Sequence, residues 1–234
     1  MRVEIWSDIV CPWCYVGKAR FEKGLAAFSG RDDVEVVHRS FELASGAPRD
    51  GRKTVAVELQ AKYGWDDATL KAMEDRVGAA AAAEGLGMRH DRFVTGTFDH
   101  HRLLHLARER GLQDRLLDAL FTANFAEARP ISEDDTIVDI ATGAGLDADE
   151  VRKVLADETA YADAVRADER EAAELGAGGV PFFVIDRRFA VSGGQPAEVF
   201  TQALEQAAAA GGLQTVATAG GDGAVCADDS CDVP

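Results

Sequence analysis

The chain has 234 residues, 47% of them hydrophobic, with 25 Lys and Arg against 41 Asp and Glu and four cysteines. At about 150 residues per domain this is one large domain or two intimate ones, long enough to bury a core without covalent staples. A net charge of −16 argues against nucleic acid and anionic membrane as partners, since both reward clustered cations, and so few cysteines must be read pair by pair for their chemistry.

Met1-Arg2 leads directly into Val3-Glu4-Ile5-Trp6 with no apolar leader, and no window reaches the roughly 18 apolar residues of a membrane span. A cytoplasmic location is expected, where a close cysteine pair is more often catalytic, redox-sensing or metal-binding than structural. Residues 3–7 read as a strand and 8–12 as a loop. From Cys14 to Phe28 a helix follows, with Phe21, Leu25 and Phe28 at i, i+4 and i+7 and Gly30 placed for a left-handed cap. Val34 to Phe41 alternates and completes a βαβ unit.

The next 120 or so residues carry helical periodicity: Val55–Tyr63, Ala68–Glu84, His100–Arg110, Asp114–Ala126, Asp134–Ala141, and a long helix capped by Asp147 that runs through Val151, Val154, Leu155, Tyr161 and Val165. Strands return at Val180–Asp186 and Phe189–Val191, with Arg187-Arg188 at the turn, and Pro196–Ala210 is a closing helix. Leu213–Pro234 is rich in Gly, Ala and Asp, lacks either periodicity, and reads as a mobile tail. The order predicts an α/β sheet domain, residues 1–52 and 176–212, interrupted by a helical domain, 53–175, and followed by a tail, 213–234, carrying C-x4-C.

Cys11-Pro12-Trp13-Cys14 lies between the first strand and the first helix. A helix N-terminus favours a thiolate over a thiol, so Cys11 is expected to be the exposed nucleophile. Cys14, one turn on, is expected to be buried, kept as a thiol and placed to resolve a mixed disulfide. Pro12 at the first turn costs no helix hydrogen bond and fixes the entry angle. Two alternatives stay open: a pair of inert buried cysteines, or half of a zinc site that would need Cys226 and Cys231 folded back. Pro181 opens a buried strand after Gly178-Gly179-Val180, a position where proline is tolerated and often cis.

Cys11-Pro12-Trp13-Cys14, the helical insertion, and Gly179-Val180-Pro181-Phe182-Phe183-Val184 before Val191-Ser192-Gly193-Gly194-Gln195 together resemble the DsbA-like thioredoxin-fold oxidoreductases, and within them the FrnE-type dithiol-disulfide isomerases. The resemblance spans residues 1–212. It implies a thioredoxin-like fold with an inserted all-helical domain, a cis Pro181 packed against the active-site cysteines, a Val180 backbone that pairs with an extended substrate, and no cofactor or metal. Pro12 and Trp13 would help position the substrate. Strongly oxidising relatives carry histidine where this chain has Trp13, which implies a less oxidising couple suited to isomerase or reductase work. In the related kappa-type glutathione transferases and 2-hydroxychromene-2-carboxylate isomerases a serine replaces the first cysteine. Cys11 and Cys14 argue against that branch, while glutathione or another cellular reductant stays open as a partner beside protein and small-molecule thiol or disulfide substrates. A polypeptide-binding chaperone without redox turnover is a third reading.

Cys226 and Cys231, with four residues between them, can close into an accessory redox pair or stay idle in an unstructured tail, and the neighbouring Asp228, Asp229 and Asp232 would make them poor nucleophiles. His101 and His105 have the i, i+4 spacing of two metal ligands but lack the glutamate of a zinc protease. They and His100 read as histidines of a helix surface or a substrate groove. Lys18, one turn after Cys14, is expected to be exposed and of small effect.

Overall fold

The computed structural model describes residues 1–49, 53–210, 225–227 and 230–232. Two compact units emerge, Met1–Leu43 with Ala167–Pro234, and Ala44–Arg166. Among the described residues no helix is long and apolar enough to cross a membrane.

The first unit is built on a four-stranded sheet of order β2-β1-β3-β4. Strand β1 (Arg2–Ser7) pairs parallel with β2 (Glu35–Ser40) and antiparallel with β3 (Phe182–Ile185), which pairs antiparallel with β4 (Phe189–Ser192). Helix α1 (Pro12–Ala27) supplies the crossover that a parallel pair requires, and α9 (Ala197–Ala209) follows β4.

Alternation along the strands sends Val3 and Ile5, Phe183 and Ile185, and Phe189 and Val191 into one core with Phe21, Phe28, Phe200 and Leu204 of the helical segments. Phe183 and Phe200 meet at 4.6 Å between ring centroids, and Phe21 lies 5.4 and 5.6 Å from them. Gly24 lets α1 and α9 touch, since a β-carbon there would come 2.5 Å from the Ala197 carbonyl oxygen.

Glu4, between Val3 and Ile5, points the other way and is buried. Its carboxylate takes Arg39 Nε at 3.0 Å and Arg187 Nε at 3.1 Å. Burial pushes the Glu4 carboxyl up, but the two guanidinium groups outweigh it and hold it below its ordinary range. Arg39 reaches on to Asp168 at 2.8 Å, whose other oxygen takes the Ser40 N–H at 2.9 Å and whose carbonyl takes Trp6 Nε1 at 2.8 Å. One sheet face therefore carries the phenylalanine core, and the other combines this ionic network with Trp6 and Phe182, 6.1 Å apart between ring centroids.

The second unit is helical: α2 (Val55–Tyr63), α3 (Asp67–Ala83), α4 (Phe98–Glu109), α5 (Gln113–Phe121), α6 (Asp134–Gly143) and α7 (Ala148–Ala156). Helix α8 (Ala162–Glu174) continues into the first unit.

Four expectations are corrected. The α1 helix does not end on a left-handed Gly30: φ there is −92°, and the Phe28 ring lies so close that a β-carbon on Gly30 would meet it at 2.8 Å. The helix expected through Ala126 ends at Phe121 and widens into a π-turn, Thr122–Ala126. Asp147 does cap α7, accepting from the Asp149 and Glu150 N–H groups at 3.0 Å, but the long helix expected beyond it breaks between Ala156 and Ala162, with Tyr161 at φ 61°. Arg102 explains the break. It is 1% exposed, and one guanidinium nitrogen reaches the carbonyls of Val154 and Asp157 at 2.6 Å and Ala160 at 3.2 Å, while the Asp157 carbonyl closes a tight turn with the Ala160 N–H at 3.1 Å. Asp157 helps, its side chain capping the Thr159 N–H at 2.9 Å. Lastly, the tail is not without strands: β5 (Val225–Ala227) and β6 (Ser230–Asp232) pair antiparallel.

Arg102→Leu would leave three carbonyls without their shared donor. Urea unfolding should show a loss of about 3 kcal/mol, the range for a broken buried network, whereas a loss below about 1 kcal/mol would show that the helix break does not depend on this side chain.

Candidate active site

Cys11 occupies the N-cap of α1 with extended backbone (φ −81°, ψ 113°), and Pro12 follows in the first turn. A tight turn prepares the helix start: the Cys11 N–H donates to the Asp8 carbonyl at 3.1 Å, and the Cys11 carbonyl accepts from Cys14 at 3.1 Å and Tyr15 at 3.3 Å. Both thiols thus sit in the first turn, where the helix dipole favours negative charge.

An exposed Cys11 in front of a buried Cys14 is the expectation from sequence, but both are buried, at 0% and 1% exposure. Part of the cover is the strand start that carries Pro181: the Cys11 thiol donates to the Val180 carbonyl at 3.7 Å, and the Val180-Pro181 peptide is cis. Burial drives the Cys14 thiol well above its ordinary range, and the neighbouring Cys11 sulfur pushes it further in the same direction. A hydrogen bond from the Asp8 backbone opposes this only in part. Cys14 is held protonated. Pro12 is half-buried, whereas Trp13 and Val180 are 2% and 0% exposed, so Pro12 offers the accessible edge of the motif.

Asp8 is the residue that sequence reasoning passed over as loop. It is fully buried, its Oδ2 accepts the Leu43 N–H at 2.8 Å, and its charge adds to the upward push on Cys14. The available signal was an aspartate three residues before a helix-opening cysteine, the spacing of a turn former.

Lys18 departs from expectation too. It is 5% exposed and paired with Glu22, because α1 is buried continuously from Trp13 to Lys18. His100 and His101 are not surface residues but are 0% and 1% exposed in the helical unit. His100 Nε2 donates to the Ile131 carbonyl at 2.9 Å, and its Nδ1 has no hydrogen-bond partner among the described residues. Burial, with His101 beside it, pushes its pKa down to about 4. His105 stacks on Tyr161 at 6.4 Å. Cys226 and Cys231 are direct cross-strand partners in the β5-β6 hairpin, while their side chains lie outside the described residues.

A family model described as the DSBA-like thioredoxin domain matches residues 2–205. The chain belongs to this DSBA-like family. It is a thiol-disulfide oxidoreductase of the thioredoxin superfamily and has that superfamily's fold. Among solved structures, a probable DsbA oxidoreductase from Streptomyces coelicolor is 60% identical, with 100% of this chain and 99% of that chain covered and a TM-score of 0.88. YwbO of Bacillus subtilis (strain 168), an uncharacterised protein, is 28% identical over 206 residues, 87% of this chain and 96% of its own length. The fold is shared by the cytosolic disulfide reductase DsbM from Pseudomonas aeruginosa, at 15% identity, 89% and 96% coverage and a TM-score of 0.59. A second DsbM structure, with GSH, gives 16% identity, the same coverage and a TM-score of 0.55.

Two outcomes are expected from these environments. In a Cys11→Ser variant, Cys14 should resist iodoacetamide at neutral pH and react only in alkaline solution; ready modification at pH 7 would show that burial does not hold the proton. For His100, folding depresses the pKa from 6.5 to about 4, so its contribution is complete above pH 6.5, falls as pH drops toward 4, and then levels off. The difference in unfolding free energy between wild type and His100→Gln should change by roughly 3 kcal/mol across that window, and a constant difference would rule the titration out.

Proposed function

We propose that this DSBA-like protein is a cytoplasmic thiol-disulfide oxidoreductase and isomerase of the FrnE type, with Cys11 as nucleophile and Cys14 as resolving thiol. The observation that carries the reading is the arrangement of the two thiols: Cys11 at the N-cap of α1 against the Val180 carbonyl, and Cys14 buried and protonated behind it. The Cys11 thiolate attacks one sulfur of a substrate disulfide and the other leaves as a thiolate, giving a mixed disulfide. Cys14 then loses its proton and attacks Cys11 Sγ, expelling the second substrate thiolate. The substrate gains two electrons and the enzyme keeps a Cys11-Cys14 disulfide, which a cellular thiol reductant returns to the dithiol. If instead the freed substrate thiolate attacks another substrate disulfide and the thiolate released there attacks the mixed disulfide, Cys11 leaves as a thiolate, and the outcome is isomerisation with no net redox change.

The substrate is held by the Val180 backbone beside cis Pro181, with Pro12 and Trp13 shaping the approach. No cofactor enters these steps. Absence of a cationic histidine at position 13 supports a less oxidising couple, suited to isomerase or reductase work. Glutathione as a small thiol partner has its support in the fold shared with the reductase solved with GSH, and retention of both Cys11 and Cys14 favours dithiol chemistry over a kappa-type transferase or isomerase. Cys226 and Cys231 act as an accessory redox pair, supported by their direct opposition in the strand pair β5-β6.

Insulin reduction and refolding of a scrambled-disulfide protein, run on wild type, Cys11→Ser and Cys226→Ser/Cys231→Ser, test the reading. Loss of both activities in Cys11→Ser by at least about a hundredfold is expected; full retention sinks the proposal. A chaperone would suppress aggregation equally well without Cys11, and a tail variant identical to wild type removes the accessory pair.

A further inference from the structure

Gly17 and Gly194 have no part in the steps above, yet they lie against the groups that perform them. A β-carbon on Gly17 would come 2.9 Å from Pro181 Cγ and 3.2 Å from Gly194 Cα, and one on Gly194 would come 3.2 Å from the Trp13 carbonyl oxygen and 3.4 Å from Gly17 Cα. Gly17 stands inside α1, where glycine weakens a helix relative to alanine, so contact and not propensity accounts for it. The neighbours it would strike are a stiff pyrrolidine ring and main chain, neither of which yields as the end of a long side chain does.

The junction is also tied by hydrogen bonds. The Gly193 N–H donates to the Pro181 carbonyl at 2.8 Å. Arg20, one turn beyond Gly17 on α1, donates to the Gly194 carbonyl at 2.7 Å. Pro181 therefore rests on the backbone of α1 and is held from behind by the loop after β4. Directly before Pro181 comes the Val180 carbonyl that accepts the Cys11 thiol.

We propose that Gly17 and Gly194 are positioning residues whose missing β-carbons set how deeply Pro181 seats on α1, and through Pro181 how closely the Val180 carbonyl approaches Cys11. The proposal rests on the reading of Cys11 as nucleophile. An S–H···O bond stabilises the thiol over the thiolate, so drawing the carbonyl away eases Cys11 ionisation. The same movement displaces the backbone acceptor offered to a substrate strand.

The test is the pH profile of Cys11 alkylation by iodoacetamide, assigned by mass spectrometry in a Cys226→Ser/Cys231→Ser background, beside KM and kcat for a disulfide peptide. Gly17→Ala should lower the alkylation midpoint by about 0.5 pH unit, roughly a threefold larger acid constant, and raise KM several-fold more than it lowers kcat. Gly194→Ala, whose β-carbon meets looser contacts, should move both in the same direction by less, and it decides the matter if Gly17→Ala does not fold. Gly24→Ala on the same helix should lose stability without moving the midpoint. In a Pro181→Ala background, where the ring carbon is gone, the Gly17→Ala shift should shrink. The proposal is overturned if both glycine variants keep the wild-type midpoint and KM, if Gly24→Ala shifts them equally, or if the Gly17→Ala shift persists undiminished without Pro181. Alkylation reads Cys11 without turnover, so a Cys11→Ser protein that remains active would sink the catalytic reading and leave this measurement intact.

Discussion

The start of α1 has to meet the start of β3, and most of the first unit serves that approach. Residues 11 and 180 are 169 positions apart in sequence. They come together because β1 and β3 run antiparallel with Trp6 opposite Phe182, so the chain leaving β1 toward Cys11 passes the chain entering β3 from Val180. The Asp8 turn then brings the Cys11 backbone round to the helix start within four residues. A parallel pairing of these two strands would send the two loops to opposite ends of the sheet.

The meeting has an electrostatic price, visible in the two thiols. A helix N-terminus lowers the cost of a negative sulfur, while burial and a facing carbonyl raise it. Both sulfurs are buried to the same degree, and Cys14 additionally faces the Cys11 sulfur and the Asp8 charge. Asp8 adds negative charge that biases Cys14 further toward its protonated form.

Much of this was legible in the sequence, because the features concerned are local. The strand-helix-strand order, Pro12 in the first turn, the Asp147 cap and proline at the start of a buried strand all follow from a few neighbouring residues. What escaped depends on distant partners. Nothing near Val154 to Tyr161 announces a helix break, since the cause is a guanidinium on another helix. Lys18 and the histidine pair read as polar, hence exposed, yet tertiary packing closes over them. Gly30 has the place of a left-handed cap after a helix, but what it accommodates is the Phe28 ring. Asp8 stayed unnoticed because an aspartate in a loop ordinarily needs no special reason.

Glu4 gives the central strand a property its apolar neighbours cannot. Val3, Ile5 and their partners would tolerate many alignments, for one branched side chain packs much like the next. A slip of β1 by a single residue would turn every side chain to the opposite face, driving this carboxylate among phenylalanines and away from Arg39 and Arg187 at a cost of several kcal/mol. The buried acid thus works as a key that admits one alignment of the sheet, and with it one spacing between the cysteines and the proline.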